Sequence, residues 1–267
     1  MAALPVAQPG CPPLLREEWG VVPYVEALDR QRALHAARLA GEVSDTLVLV
    51  SHPAVVTLGR HAPEDDLALP REEYARRGID VVRTDRGGRA TYHGPGQVVM
   101  YPVVAIEQRR IGVKDWVCLL ESALLDTLEA LGIAAARKPA TAGLWTTPAP
   151  GLPPGTGGAK IASLGLRVTR GISYHGVALN TGLDAAVFDA IRTCGVAGER
   201  VTSIAAVTGR VPDDAAVGRS LADHVERRLR EAWSLAGPGR KPAACAAPPS
   251  LQVAGTKPID PEETDIP

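Results

Sequence analysis

Residues Arg86–Gln97 read RGGRATYHGPGQ, and the rest of the chain has to be arranged around them. An extended run precedes this segment at Ile79–Thr84, and another follows it at Val98–Val104. Four glycines and a proline cannot sit in a regular strand without a turn or a close approach to the backbone. Two readings fit. One is a long glycine-rich hairpin turn. The other is a loop between two strands whose amides and polar side chains form a ledge for a ligand. Arg86, Arg89, Thr91, Tyr92, His93 and Gln97 would supply those side chains.

The flanking patterns alternate between strand and helix. The spacing predicts a helix from Tyr24 to about Leu39, closed by Gly41, and a compact strand at Thr46–Val50. His52-Pro53 interrupts, and an extended pattern resumes at Ala54–Leu58. Glu64–Leu69 reads as a short turn or helix, and Glu72–Arg77 as the end of a surface helix. Val113–Leu131 is the clearest amphipathic helix, with Trp116, Leu120, Leu124, Leu128 and Leu131 near one face. Cys118 inside it reads as a packing residue.

Beyond a short strand at Gly143–Thr146, the run PAPGLPPGTGG excludes regular structure and predicts a mobile loop. It lacks the spacing of a Walker phosphate loop. Lys160–Val168 and Ile172–Leu179 read as a hairpin around the Thr169–Gly171 turn. A short helix follows at Asp184–Ile191. Thr202 or Ser203 caps another, and Ala216–Trp233 forms the last long one. Only 4% of the 267 residues are aromatic, so these elements must pack through Leu, Val, Ile and Ala. The pattern predicts one large domain over residues 18–236, a flexible N-terminal arm over 1–17 and a disordered tail over 237–267.

A net charge of -1 argues against nucleic-acid binding driven by bulk charge. The four cysteines, Cys11, Cys118, Cys194 and Cys245, form no CxxC pair and no Cys/His cluster with metal-ligand spacing. Neither a disulfide scaffold nor a metal site is expected. The sequence shows no signal-peptide pattern and no apolar stretch of the ~20 residues needed to span a bilayer. A soluble cytoplasmic protein is expected.

Cys194 is the best nucleophile candidate, because it follows a short helix and lies in a polar loop with Gly195 and Gly198. A thiol needs a cation, base or helix end to become thiolate near neutral pH. Lys160, at the mouth of an apolar strand, could be that cation, or a neutral base that takes the thiol proton. The alternative is a buried loop cysteine and a surface lysine. His93 and His175, each followed by glycine, compete for the base role, or serve as satisfied structural histidines.

Taken together, the segments resemble the lipoyl(octanoyl) transferases. The resemblance rests on motifs in one order: HPAVVTLGR (His52–Arg60), RGGRATYHGPGQ, GLW (Gly143–Trp145), KIASLGLRV (Lys160–Val168), HGVALN (His175–Asn180) and Cys194-Gly195. It covers roughly residues 20–235. It implies an α/β fold, a mixed sheet flanked by helices, as in the biotin and lipoate protein ligase catalytic domain.

The resemblance also implies that Cys194 carries the octanoyl group as a thioester and that Lys160 lowers its pKa. It assigns substrate binding to Arg86, Gly87, Gly88, Arg89, Ala90, Thr91, Tyr92 and His93, to Ser163, Leu164 and Gly165, and to Gly176, Val177 and Ala178. His175, Gln97 and Asn180 support them. No metal or other cofactor is implied, the acyl group arriving on the phosphopantetheine of acyl carrier protein. The implied donor is octanoyl-acyl carrier protein. The acceptors are lipoyl domains of 2-oxoacid dehydrogenase complexes and the glycine cleavage H protein. The protein is expected to be a monomer, with no nucleic-acid or membrane partner.

Three departures concern loop shape more than chemistry. Ser51 stands where the family often has an acidic residue, Thr193 where a proline commonly precedes the cysteine, and the Gly151–Gly158 stretch is longer than usual. ATP-dependent lipoate or biotin ligation, and a non-catalytic carrier-domain binding module, are the alternatives.

Overall fold

The computed structural model describes residues 11–139, 141–147, 158–192 and 199–235. In chain order the elements are β1 (Leu14–Val21), α1 (Tyr24–Ala40), β2 (Asp45–Ser51), β3 (Val55–Leu58), α2 (Arg71–Arg76), β4 (Asp80–Arg83), β5 (Ala90–His93) and β6 (Gln97–Val103). There follow α3 (Val113–Ala130), β7 (Ala135–Lys138), β8 (Thr141–Thr146), β9 (Lys160–Thr169), β10 (Ile172–Asn180), α4 (Ile204–Thr208) and α5 (Asp214–Leu235). Short 3-10 turns lie at Glu64–Asp66 and Ala185–Ala190.

The strands form two sheets. Seven strands in the order β1-β2-β6-β10-β9-β8-β7 make the large one, and β4-β3-β5 make a small one. β1 runs parallel to β2 and β3 to β4, while the other pairs are antiparallel. The mixed α/β class is as expected, but the small sheet is an addition.

β2 and β6 read as unbroken apolar runs because helices cover both faces of the large sheet. Leu47, Leu49, Val98 and Met100 pack with Trp116, Leu120 and Leu124 of α3 and Leu221 and Val225 of α5. The alternate residues Val48, Val50, Val99 and Tyr101 pack with Ala27 of α1. The stripe expected on α3 is buried from Trp116 to Leu128, but Leu131 lies beyond the helix end and is exposed. Cys118 is half-buried on α3 and is disulfide-bonded, so it is more than the packing residue expected; its partner is not among the described residues.

Two further expectations change, and a third point is a strand for which there was no expectation. Leu14–Glu17 belongs to β1 rather than to a flexible arm. Arg109 explains why: its guanidinium reaches the Pro12 carbonyl at 3.1 Å while its Nε donates to the buried Asp45 carboxylate at 2.5 Å. Asp45 also accepts from Arg38 Nε at 2.7 Å and from the Ala105 amide at 2.9 Å. Second, the Arg86–Gln97 segment is not loop throughout, because Ala90–His93 pairs antiparallel with β3. Third, β7 carries no sequence signal beyond four residues, yet it closes the far edge of the large sheet. The proline-rich 148–157 stretch and the 236–267 tail lie outside the described residues.

Candidate active site

A cavity of about 320 Å³ lies between the α1 face of the large sheet and the small sheet. Such a volume sits at the lower end of the range for small-molecule sites, roughly 300–1,000 Å³. Val99, Tyr101 and Ala178 of the large sheet line it beside Tyr24 of α1. The opposite wall holds Arg86, Gly88, Arg89, Ala90, Thr91 and His93. β9 contributes Lys160, Ser163, Leu164 and Gly165, and β10 contributes His175, Gly176 and Val177. The three separate substrate-binding stretches expected from sequence therefore meet in one place.

Two members of those stretches do not line it. Tyr92 alternates away from Thr91 and His93 along β5 and packs edge-on against Phe188, with ring centroids 6.0 Å apart. Gly87 instead straps the small sheet to the large one, its amide donating to the Leu166 carbonyl at 2.9 Å. A Cβ on Gly165 would lie 3.0 Å from the Gly87 carbonyl, so a side chain there would push the seam apart by a few tenths of an ångström.

The arginines are committed within the fold. Arg86 is buried, and its Nη2 donates to the Thr57 carbonyl at 2.7 Å and to Thr57 Oγ1 at 2.8 Å. Arg89 Nε donates to Asp66 Oδ2 at 2.9 Å, and Asp66 is fully buried. Both side chains hold the rim in shape as well as lining it.

His175 has a positive φ of 55°, a region costly for a residue with a side chain. The register from Val177↔Met100 to Ile172↔Ala105 sets His175 opposite Pro102. Proline has no N–H for the ladder. Turned out of the ladder by its positive φ, the His175 amide donates to the Gln31 side-chain oxygen of α1 at 2.9 Å. On the ring, Nε2 is 2.8 Å from Asp85 Oδ1. Burial pushes the ring down to about 4, against the pull of Asp85. Burial opposes ionisation of Asp85 too, but hydrogen bonds from Tyr174 and His175 outweigh it and hold the carboxyl below its ordinary range. His175 is thus a neutral ring oriented by a carboxylate.

His93 stacks on Tyr24, with centroids 5.8 Å apart, and its Nδ1 is 2.7 Å from Gln97 Oε1. Burial, then the neighbouring His52, push this ring down to about 3. His52 is structural, bridging the Val22 carbonyl and the Tyr101 hydroxyl at 2.7 Å each. Gln97 and Asn180 face each other across β6 and β10 behind His93.

Lys160 begins β9 with its side chain buried. Its Nζ lies 4.9 Å from the centroid of the Trp145 ring and 3.5 Å from Glu199 Oε2. Trp145 Nε1 donates to the other Glu199 oxygen at 3.0 Å. A buried ammonium is tolerable only with such a carboxylate and aromatic face. Cys194 lies outside the described residues. The described residues on either side are anchored: the Arg192 amide donates to the Asp66 carbonyl at 2.8 Å, and the Arg200 carbonyl accepts from the Lys160 amide at 2.7 Å.

Sequence reasoning missed Glu199, Asp85, Thr57 and Asp66. Asp85 had a signal, since it immediately precedes the glycine-rich segment. Glu199 had none, because it follows a stretch without periodicity. Among the described residues no group of three or more His, Cys, Asp or Glu is arranged to hold a metal. Among them, too, no helix is long and apolar enough to cross a membrane.

The fold is shared with lipoate ligases. A bi-partite lipoate protein ligase from Thermoplasma acidophilum superposes with a TM-score of 0.58 at 15% identity, covering 88% of this chain and 98% of that one. Lipoate-protein ligase A bound with ATP gives 0.57 at 17% identity, covering 83% and 93%. At the sequence level, residues 23–226 match the lipoyl protein ligase A/B catalytic domain. An octanoyltransferase from Syntrophobacter fumaroxidans is 38% identical over 80% of this chain and 90% of its own length. One from Clavibacter sepedonicus is 40% identical over 85% and 94%. With the three motif stretches gathered on one cavity and similarity running through nearly the whole length of these relatives, the chain belongs to the octanoyltransferase family of lipoyl protein ligase A/B catalytic domains.

Proposed function

We propose that this chain transfers an octanoyl group from octanoyl-acyl carrier protein to a lysine of a lipoyl-accepting domain, through a thioester on Cys194. The observation that carries the reading is the cavity between the sheets, whose lining combines the apolar Val99, Leu164 and Ala178 with Lys160. Burying an eight-carbon chain there favours binding by roughly 0.8 kcal/mol per methylene, before ordering costs.

In the first step the Cys194 thiolate attacks the donor thioester, and the phosphopantetheine thiol leaves. In the second, the acceptor amine attacks octanoyl-Cys194, an amide forms, and the thiolate is released. The Lys160 ammonium stabilises the thiolate in the first step and gives its proton to the departing phosphopantetheine sulfur; now neutral, it takes an amine proton in the second, which restores the thiolate–ammonium pair. What supports the pairing of the two groups is that the carbonyl of Arg200, six residues after Cys194 in the sequence, accepts from the Lys160 amide at 2.7 Å. Backbone amides of β9 near Leu164-Gly165 are the candidate oxyanion donors. The reading takes the lipoyl domains of 2-oxoacid dehydrogenases and the glycine cleavage H protein as acceptors, and a cytoplasmic monomer as the working form. No cofactor beyond the donor's phosphopantetheine arm is needed for it.

The ligase-like fold supports one rival, ATP-dependent lipoate ligation. Intact-protein mass after incubation with octanoyl-acyl carrier protein, without ATP, separates the two. A hydroxylamine-sensitive octanoyl adduct, lost in Cys194→Ser, is expected. Lipoylation that requires ATP and survives Cys194→Ser would overturn the proposal.

A further inference from the structure

The protonation of His93 can be read from the groups behind it. Asn180 Nδ2 donates to the Thr202 carbonyl at 2.9 Å, and a carbonyl can only accept. Asn180 therefore turns its oxygen to Gln97, whose Nε2 donates to it at 2.9 Å. The same Nε2 is 3.3 Å from the Tyr92 carbonyl, a second group that can only accept. Gln97 is thus fixed from two sides with Oε1 toward His93, and Nδ1, at 2.7 Å, must carry the proton. Nε2 is left as a lone-pair acceptor, with no hydrogen-bond partner among the described residues, on a ring that lines the cavity.

We infer that Gln97 and Asn180 are positioning residues that hold His93 as a fixed hydrogen-bond acceptor for an N–H of the attacking lysine amine. This rests on the acyl-transfer reading above. A lone pair repels the thioester oxygen, so His93 is not an oxyanion donor. When the amine attacks, the N–C bond forms, the C–S bond breaks and the electron pair leaves on the Cys194 sulfur. One amine proton passes to Lys160. One N–H stays on nitrogen in the amide product, and that is the hydrogen His93 holds without taking it. The Thr202 amide donates to the Lys160 carbonyl at 2.9 Å, so the same chain of bonds ties the acceptor to the strand end bearing Lys160.

The test uses the full chain labelled with ¹⁵N-histidine. Two-bond correlations are expected to show His93 neutral, protonated on Nδ1 and bare on Nε2. A ring protonated on Nε2 overturns the lock, whatever the activity. Asn180→Ala removes the shorter of the two bonds that fix the Gln97 amide, and its His93 resonances are expected to shift toward a mixture of tautomers. In the same variant, discharge of pre-formed octanoyl-enzyme to an apo lipoyl domain is expected to slow about 10-fold, while loading from octanoyl-acyl carrier protein stays within about 2-fold. Equal slowing of both steps, or of neither, overturns the role toward the amine. Wild-type protein that is never loaded overturns the transfer reading and the role with it, but leaves the tautomer to be judged by its own resonances.

Discussion

Glu199 accepts from Trp145 Nε1 at 3.0 Å with one carboxylate oxygen and meets Lys160 Nζ at 3.5 Å with the other. One side chain thereby sets both the cation and the aromatic face beneath it. Glu199→Gln keeps an oxygen for the indole but removes the charge. Loading of the enzyme by octanoyl-acyl carrier protein is expected to fall about 10-fold, with the urea midpoint near that of wild type. Single-turnover mass spectrometry reads the loading rate, and an unchanged rate would remove Glu199 from the chemistry.

Asp45 is buried between Arg38 and Arg109. Asp45→Asn leaves two guanidinium groups without their counter-charge, at a cost of about 3–5 kcal/mol. Urea unfolding followed by circular dichroism checks it. Because the pair stands behind β1 and not at the cavity, activity per folded molecule is expected to hold.

Acid is expected to weaken the fold through its buried histidines. His175 is pushed down to about 4 and His93 to about 3, from an ordinary 6.5. Between pH 6.5 and 4 the unfolded chain binds protons that the folded chain refuses, so stability is full above 6.5 and is lost as pH falls. His175 alone accounts for up to roughly 3 kcal/mol of that loss. Asp85, held below its ordinary range, adds a loss only at lower pH. Urea midpoints across this window should slope in wild type and slope less in His175→Asn. Equal slopes would contradict the assignment.

Gly176 has no room for a side chain. A Cβ there would lie 1.9 Å from the Met100 carbonyl and 2.7 Å from Pro102 Cδ. Gly176→Ala is expected to cost about 1–3 kcal/mol or more and to displace β10 at the cavity wall. Thermal melting and octanoyl loading are expected to fall together.

Most helices and the β9–β10 hairpin were legible because their apolar periods are long and their ends are marked by Gly41, Gly132 and the Thr169–Gly171 turn. Ser203, read as a cap, accepts from the Ala206 amide at 3.3 Å. β1 was not legible, because LLREEWGV is an edge strand with mostly exposed side chains and no alternation. β5 was hidden among glycines, since only pairing with β3 makes four residues a strand. The meeting of Ser163–Gly165, Gly176–Ala178 and Arg86–His93 followed from the family motifs. The facing of Tyr92 away from the cavity needed the β5 register, and the Glu199–Trp145–Lys160 cluster needed the return of the chain beside β9. Neither is encoded locally.

The outer edge of the large sheet ends at β1, whose charged residues also bear on self-association. Arg16 reaches Asp223 at 2.6 Å and also Glu226 on α5, while Glu17 and Glu18 stand exposed along the same strand. A strand from another molecule could add to this edge only by stripping water from those carboxylates and competing with the arginine's partners. The ribbon that begins the described chain thus acts as a selvedge, ending the weave of backbone hydrogen bonds before it can run on into an aggregate.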